Sequence, residues 1–180
     1  MLNIAVLGST QGADLQALLD AKVNIVVVLS NKPLAGILDK ARQAGVEALS
    51  FEDNFEEQAL VVLKRRQVDL ILLIGFMKIL SPNFIKQFEH KILNIHPSLL
   101  PKYAGGMNMN IHAEVLKNKD AVTGCTLHYV TTEVDAGPIY GQEAVPVLPD
   151  DTPETLKARV QQAEQKLLLR AINELSILLV

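Results

Sequence analysis

The sequence predicts an α/β fold with a mostly parallel central sheet flanked by helices, in one domain spanning 1–180. Three observations carry this prediction. Short apolar runs alternate with amphipathic stretches along the whole chain, the βαβ pattern. One run, Val23–Leu29, is almost purely β-branched and apolar, as in parallel strands covered on both faces. No linker, repeat or low-complexity stretch interrupts the alternation. With 180 residues, 49% apolar and 21% charged, the chain can build a real core.

Taken in order, Leu2–Leu7 reads as a buried strand ending at Gly8. Gly12–Asp20 reads as a helix, with Leu15, Leu18 and Leu19 on one face. Val23–Leu29 is the second strand. Pro33–Ala44 is helical and stops at Gly45, a C′ glycine. Asn54–Gln67 is a helix with Leu60 and Leu63 inward, and Asp69–Ile74 a third strand. Ser81-Pro82 opens a helix to Phe88, because serine caps well and proline suits the first turn. Ile92–His96 is a strand, Asn110–Asn118 a helix, and Thr126–Thr131 and Ile139–Val147 are two further strands. Asp151-Thr152-Pro153-Glu154 has capping-box spacing and starts a long helix over 153–175.

The composition excludes several classes. Seventeen Lys and Arg against 20 Asp and Glu give a net charge of −3, which argues against a nucleic-acid binder. Cys125 is the only cysteine, so no disulfide framework or CxxC metal site exists, and a reducing compartment fits. Met1–Leu7 has no cationic region ahead of it, and the longest apolar run, Leu70 to Met77, is too short to span a membrane. The expectation is a cytoplasmic protein without membrane or nucleic-acid partners, as a monomer or homodimer. His90, His96, His112 and His128 match no zinc spacing, so no metal is expected. No Gly-x-Ser-x-Gly elbow and no Walker Gly-Lys-Ser/Thr occur.

Two segments carry chemistry. Gly8-Ser9-Thr10-Gln11-Gly12-Ala13-Asp14 joins the first strand to the first helix, where free N–H groups and the helix dipole favour an anion such as phosphate. It lacks the full G-x-G-x-x-G, and the second strand ends in Ser30-Asn31 rather than an acid, which disfavours a dinucleotide. A tight βα turn without a ligand is the plain alternative. The second segment is Leu93-Asn94-Ile95-His96-Pro97-Ser98-Leu99-Leu100-Pro101-Lys102. Residues two apart on a strand share a face, so Asn94 and His96 project together, and Pro97 holds His96 extended. An amide N–H beside a titratable base suits acyl transfer: Asn94 donates to an oxyanion, and His96 moves a proton. Asp135, in Glu133-Val134-Asp135-Ala136-Gly137-Pro138, completes the set if its turn folds back, and an aspartate there favours the charged imidazole. Singly, each has a plainer reading: a turn cap, a structural histidine and an ordinary turn aspartate.

Together, Gly12-Ala13-Asp14-Leu15-Gln16, Gly75-Phe76-Met77-Lys78-Ile79-Leu80, the Asn-Ile-His-Pro-Ser-Leu-Leu-Pro block at 94–101, and Gly124–Val130 with Val134-Asp135-Ala136-Gly137-Pro138 resemble the glycinamide ribonucleotide formyltransferase family of purine biosynthesis. The match runs over nearly the whole chain. The resemblance implies a Rossmann-like formyltransferase fold, 10-formyltetrahydrofolate as formyl donor without a metal, and the amine of 5-phosphoribosylglycinamide as acceptor. It implies that Asn94 holds the formyl oxygen, His96 transfers protons, and Asp135 orients His96 and a water. Thr10, Gln11, Gly12, Ala13 and Asp14 would take the phosphate and ribose, chiefly by backbone contacts. Met77, Lys78, Ile79 and Leu80, with Asn94, would line the folate pocket.

This chain departs from the family pattern at several places. The first loop usually reads Ser-Gly-x-Gly-Ser-Asn; here Thr10, Ala13 and Asp14 replace a glycine, the serine and the asparagine. Asp14 would sit badly beside a phosphate unless it turns away to cap or meets ribose hydroxyls. Glu52 stands where many relatives carry an arginine for the folate tail, the bend Ala104–Asn110 is longer, and the chain ends early at Ile177–Val180. Two competing readings are formyl transfer to a nucleotide-linked amino sugar and a non-catalytic folate- or phosphate-binding module.

Overall fold

The computed structural model describes residues 1–106 and 110–178. The chain forms β1 (Ile4–Leu7), α1 (Ala13–Asp20), β2 (Ile25–Ser30), α2 (Gly36–Gln43), β3 (Ala48–Ser50), α3 (Phe55–Arg65), β4 (Leu70–Leu73), α4 (Pro82–Gln87), β5 (Ile92–His96), α5 (Ile111–Lys117), β6 (Val122–Tyr129), β7 (Ile139–Pro146) and α6 (Pro153–Leu178). The strands make one seven-stranded sheet in the order β3-β2-β1-β4-β5-β6-β7. Strands β1 to β5 pair in parallel, and β6 and β7 add antiparallel. The predicted α/β architecture is therefore the observed one.

Strands β1, β2, β4 and β5 bury both faces, which is why their runs are apolar without alternation. Ile4 and Val6 join α1, α2, α5 and α6 on one side; Ala5 and Leu7 join α3 and α4 on the other. The order in which strands are added to the sheet reverses between β1 and β4, which remain parallel. Such a switch leaves a crevice at the carboxyl ends of the strands, where ligands of open α/β sheets bind.

Several local expectations are corrected. Strand β3 was not anticipated: three half-buried residues pairing only with β2 are too short to show a period. Helix α2 begins at Gly36 rather than Pro33, because Lys32–Ala35 closes a turn with an Ala35 N–H to Lys32 carbonyl bond of 3.1 Å. Strand β6 begins at Val122, four residues before the expected Thr126. Gly124 makes that stretch look like a break, but glycine is needed there because a Cβ would collide with the Glu143 carbonyl of β7. The capping pair of α6 lies one residue later than read. Thr152 N–H donates to Thr155 Oγ1 (2.9 Å), and Thr155 N–H to Thr152 Oγ1 (3.2 Å). Asp151 instead binds the Arg159 guanidinium at 2.7 and 2.8 Å, which holds its carboxyl well below the usual range. Helix α6 continues past 175 to Leu178. The Ser81 cap is present, its Oγ accepting from Phe84 N–H at 3.2 Å. Among the described residues no helix is long and apolar enough to cross a membrane.

Candidate active site

Strand β5 ends where the parallel part of the sheet meets the antiparallel part, and this seam gathers the polar residues. Asn94 pairs across to His128 of β6, and both project to the same face as His96. The turn after β6 brings back Asp135, whose backbone has φ +52°, a left-handed conformation that aspartate tolerates better than most residues. The three predicted residues are thus brought together, and a fourth, His128, joins them.

The protonation pattern follows from the partners. His128 Nδ1 lies 3.1 Å from the Tyr129 carbonyl, which can only accept, so Nδ1 carries the hydrogen. Burial pushes His128 below the usual imidazole range, against the opposing pull of the carbonyl and Asp135. A neutral ring leaves Nε2 as an acceptor, and the Asn94 amide nitrogen donates to it at 3.1 Å. One Asn94 N–H is used this way, and the second is left for a ligand oxygen. His96, 7% exposed, donates from Nε2 to the Tyr103 carbonyl at 3.1 Å. Its Nδ1 faces Asp135 Oδ2 at 3.6 Å, while Asp135 Oδ1 lies 3.7 Å from His128 Nε2. Asp135 Oδ2 also accepts the Gly105 N–H at 2.8 Å. One carboxylate therefore stands between two imidazoles and is fixed by the bend after β5.

That bend is itself held. Ser98 Oγ donates to the Lys102 carbonyl at 2.5 Å, and Lys102 Nζ and Tyr103 Oη both reach Asp120 at 2.7 Å. The chain turns at Pro101–Gly105, reached through a cis Leu100–Pro101 peptide. The rest of the unusual bend, residues 107–109, lies outside the described residues, as do the last two of the Ile177–Val180 end.

Two cavities meet at Asn94 and Asp135. The smaller, about 70 Å³, is walled by Leu73, Phe76, Ile79, Leu80, Ile85 and Val130 and edged by Lys78 and His128. Of the expected folate residues, Lys78, Ile79, Leu80 and Asn94 line it; Met77 faces the larger cavity instead. That larger cavity, about 560 Å³, also takes in Thr10, His96, Gly106, His112 and Lys157. Glu52 is exposed and lines neither.

The loop at 8–14 is only partly as expected. Gly12 has φ +69° and packs on Ile37, where any Cβ would clash, so α1 starts without a side-chain cap. Ser9 Oγ donates to Asn31 Oδ1 (2.6 Å) and accepts from Met77 N–H (2.8 Å), tying the loop to the segment after β4. Of residues 10–14, only Thr10 lines the larger cavity, while the Gln11 side chain packs against Gly36. Asp14 turns away without capping. It is buried against α6, hydrogen-bonded to Glu164 and at 3.4 Å from Gln165 Nε2. Burial first, and Asp14 second, push Glu164 well above the carboxylate range.

Sequence reasoning missed His128, His112, Lys157 and Glu164. His128 was weighed only as a metal ligand, and its value depends on the antiparallel register that sets it opposite Asn94.

Comparison with known proteins agrees with this geometry. A family described as formyl transferase matches residues 2–172. A phosphoribosylglycinamide formyltransferase of Haemophilus influenzae is 41% identical over 93% of this chain and 84% of its own length. The crystal structure of phosphoribosylglycinamide formyltransferase from Brucella melitensis superposes with a TM-score of 0.88 at 39% identity, covering 97% of this chain and 96% of that one. The bovine trifunctional purine biosynthetic protein adenosine-3 is 43% identical over 94% of this chain, which spans only 18% of that protein. On the sequence match and the shared fold, the chain belongs to the formyl transferase family.

Proposed function

We propose that this chain transfers the formyl group of 10-formyltetrahydrofolate to the amine of 5-phosphoribosylglycinamide, as one formyltransferase domain over 1–180. The observation that carries the reading is Asn94 and Asp135 at the junction of two cavities, with His96 in the wall of the larger, the smaller one being the more apolar of the two. The apolar wall suits a pterin face. The relatives named above favour this acceptor over an amino sugar, and a binding module has no need of a proton relay.

In this reading Asn94 gives its spare N–H to the formyl oxygen as the acceptor amine adds to the formyl carbon. The tetrahedral oxyanion is held by that N–H and by the protonated His96. Asp135 balances the imidazolium charge. Collapse breaks the bond to the folate nitrogen, and the proton lost by the amine reaches that nitrogen through His96 or a water placed by Asp135. Thr10 and the backbone of the loop behind it meet the ribose phosphate in the larger cavity, beside Met77, and Lys78, Ile79 and Leu80 frame the folate. A cytoplasmic compartment belongs to the same reading; the single buried thiol of Cys125 fits it. The chain works as a monomer or homodimer without metal, membrane or nucleic acid.

The test is formyl transfer from 10-formyltetrahydrofolate by the wild-type protein to phosphoribosylglycinamide and, separately, to a nucleotide-linked 4-amino sugar. Turnover with the first acceptor alone is expected. Turnover with the sugar alone, or with neither, overturns the proposal.

A further inference from the structure

One wall of the smaller cavity is an irregular segment. Residues 74–81, between β4 and α4, form neither helix nor strand. Phe76, Lys78, Ile79 and Leu80 line the cavity from this segment, and Ile85 lines it from α4, into which the segment leads. The backbone groups of Lys78, Ile79 and Leu80 make no hydrogen bond among the described residues. A stretch without its own ladder takes its path from where its ends are held.

Both ends are held from outside. At the start, Met77 N–H donates to Ser9 Oγ at 2.8 Å. At the end, Glu56 of α3 takes Ser81 with both carboxylate oxygens: Ser81 N–H donates to Oε1 at 2.7 Å, and Ser81 Oγ–H donates to Oε2. The hydroxyl hydrogen is thereby turned to Glu56, which leaves a lone pair for Phe84 N–H, the bond that caps α4. The neighbouring Phe55 adds two contacts. Its ring centroid lies 5.2 Å from that of Phe76, and Lys78 Nζ stands 5.8 Å over its face. The first turn of α3 thus meets the segment at 76, 78 and 81, on either side of Ile79 and Leu80. Glu56 itself lines neither cavity, so it acts through Ser81 and not on a ligand.

We infer that Glu56 is a positioning residue for the formyl donor: by fixing Ser81 it sets the path of residues 78–80 and the start of α4, and so shapes the donor pocket before the donor arrives. The inference rests on the function proposed above. Once Ser81 is released, only a fraction of the molecules holds the segment in place, and apparent affinity for the folate falls by that fraction. The acceptor cavity is spared, because Ser9 still holds Met77 at the other end of the segment.

The experiment compares wild type with Glu56→Ala, Glu56→Gln, Ser81→Ala and the double variant Glu56→Ala/Ser81→Ala. Steady-state transfer gives KM for 10-formyltetrahydrofolate and for phosphoribosylglycinamide, and tetrahydrofolate is titrated calorimetrically into each protein. Glu56→Ala is expected to raise KM for the formyl donor and to weaken tetrahydrofolate binding by about 10-fold, the effect of leaving about a tenth of the molecules competent. KM for the acceptor should not move. Glu56→Gln, which keeps an oxygen for Ser81 N–H, should recover part of the loss. Ser81→Ala should add little to Glu56→Ala, because both act on one contact. A merely structural loss lowers the amount of active protein and leaves both KM values in place. Unchanged tetrahydrofolate affinity in folded Glu56→Ala and Glu56→Gln, or an equal rise in both KM values, overturns the inference and leaves the proposed function standing. If the wild type binds tetrahydrofolate without transferring formyl groups, the titration alone decides. A wild type that does neither overturns the proposed function, and this inference with it.

Discussion

Replacing Asp135 by asparagine removes one negative charge and little else. The amide keeps an oxygen for the Gly105 N–H, now at 2.8 Å, and keeps the size of the turn residue. The His96 nitrogen facing Asp135 lies 3.6 Å away. At an effective dielectric of about 20, opposite charges at that distance attract by about 4 to 5 kcal/mol. The attraction acts on His96 only while the ring carries a proton on each nitrogen. As His96 takes up the amine proton it gains most of it, so the loss falls on the transition state. Asparagine should therefore lower kcat/KM by about 10³-fold at pH 7, with kcat carrying most of the fall. Steady-state formyl transfer measures this, and a thermal melt of each protein shows that the fold is retained. A loss below about tenfold in a folded variant would refute the placement of Asp135 as the charge partner of His96.

Asn94→Ala should cost about 10²–10³-fold in kcat, the usual penalty for one oxyanion donor, seen in single-turnover transfer. Glu164→Gln tests the buried acid pair. The folded pKa of Glu164 is raised, so the folded state holds its proton longer than the unfolded chain does. The stability this lends is full below the unfolded carboxylate pKa and is lost as pH rises through the folded value. Urea denaturation should show the variant gaining on the wild type with rising pH, by at most about 1.4 kcal/mol per pH unit. Phe55→Ala should destabilise by about 3–5 kcal/mol in the same assay, because Phe55 is fully buried between Phe51 and Phe76.

Much of the sheet was legible because burial on both faces leaves an unbroken apolar signature, as in Val23–Leu29. Strand β5 could be read to the residue, since Pro97 stops it. Strand β3 was not legible, because three edge residues carry too little pattern. In the site, Asn94 and His96 could be paired from their spacing alone. Asp135 could be suspected from its turn. His128 could not, since only the register of β5 against β6 sets it opposite Asn94. Lys157 and Glu164 lie one and three turns into a long helix whose contacts depend on packing, and their spacing resembles any solvated face. Asp14 was rightly marked as odd beside a phosphate, but its partner on α6 lies about 150 residues away in the chain, at position 164.

The acceptor that orients His96 is the main-chain oxygen of Tyr103, and every amino acid at position 103 supplies that atom. A side-chain scan would therefore pass over it, and random point substitution has little access to the tautomer it enforces. Changes in chain length are different. One residue gained or lost between Pro97 and Gly105 would carry the oxygen, and the Gly105 amide that holds Asp135, out of reach together. The site should thus be far less tolerant of insertions and deletions in this bend than of single substitutions there, a pattern that a library varying length and composition separately would reveal.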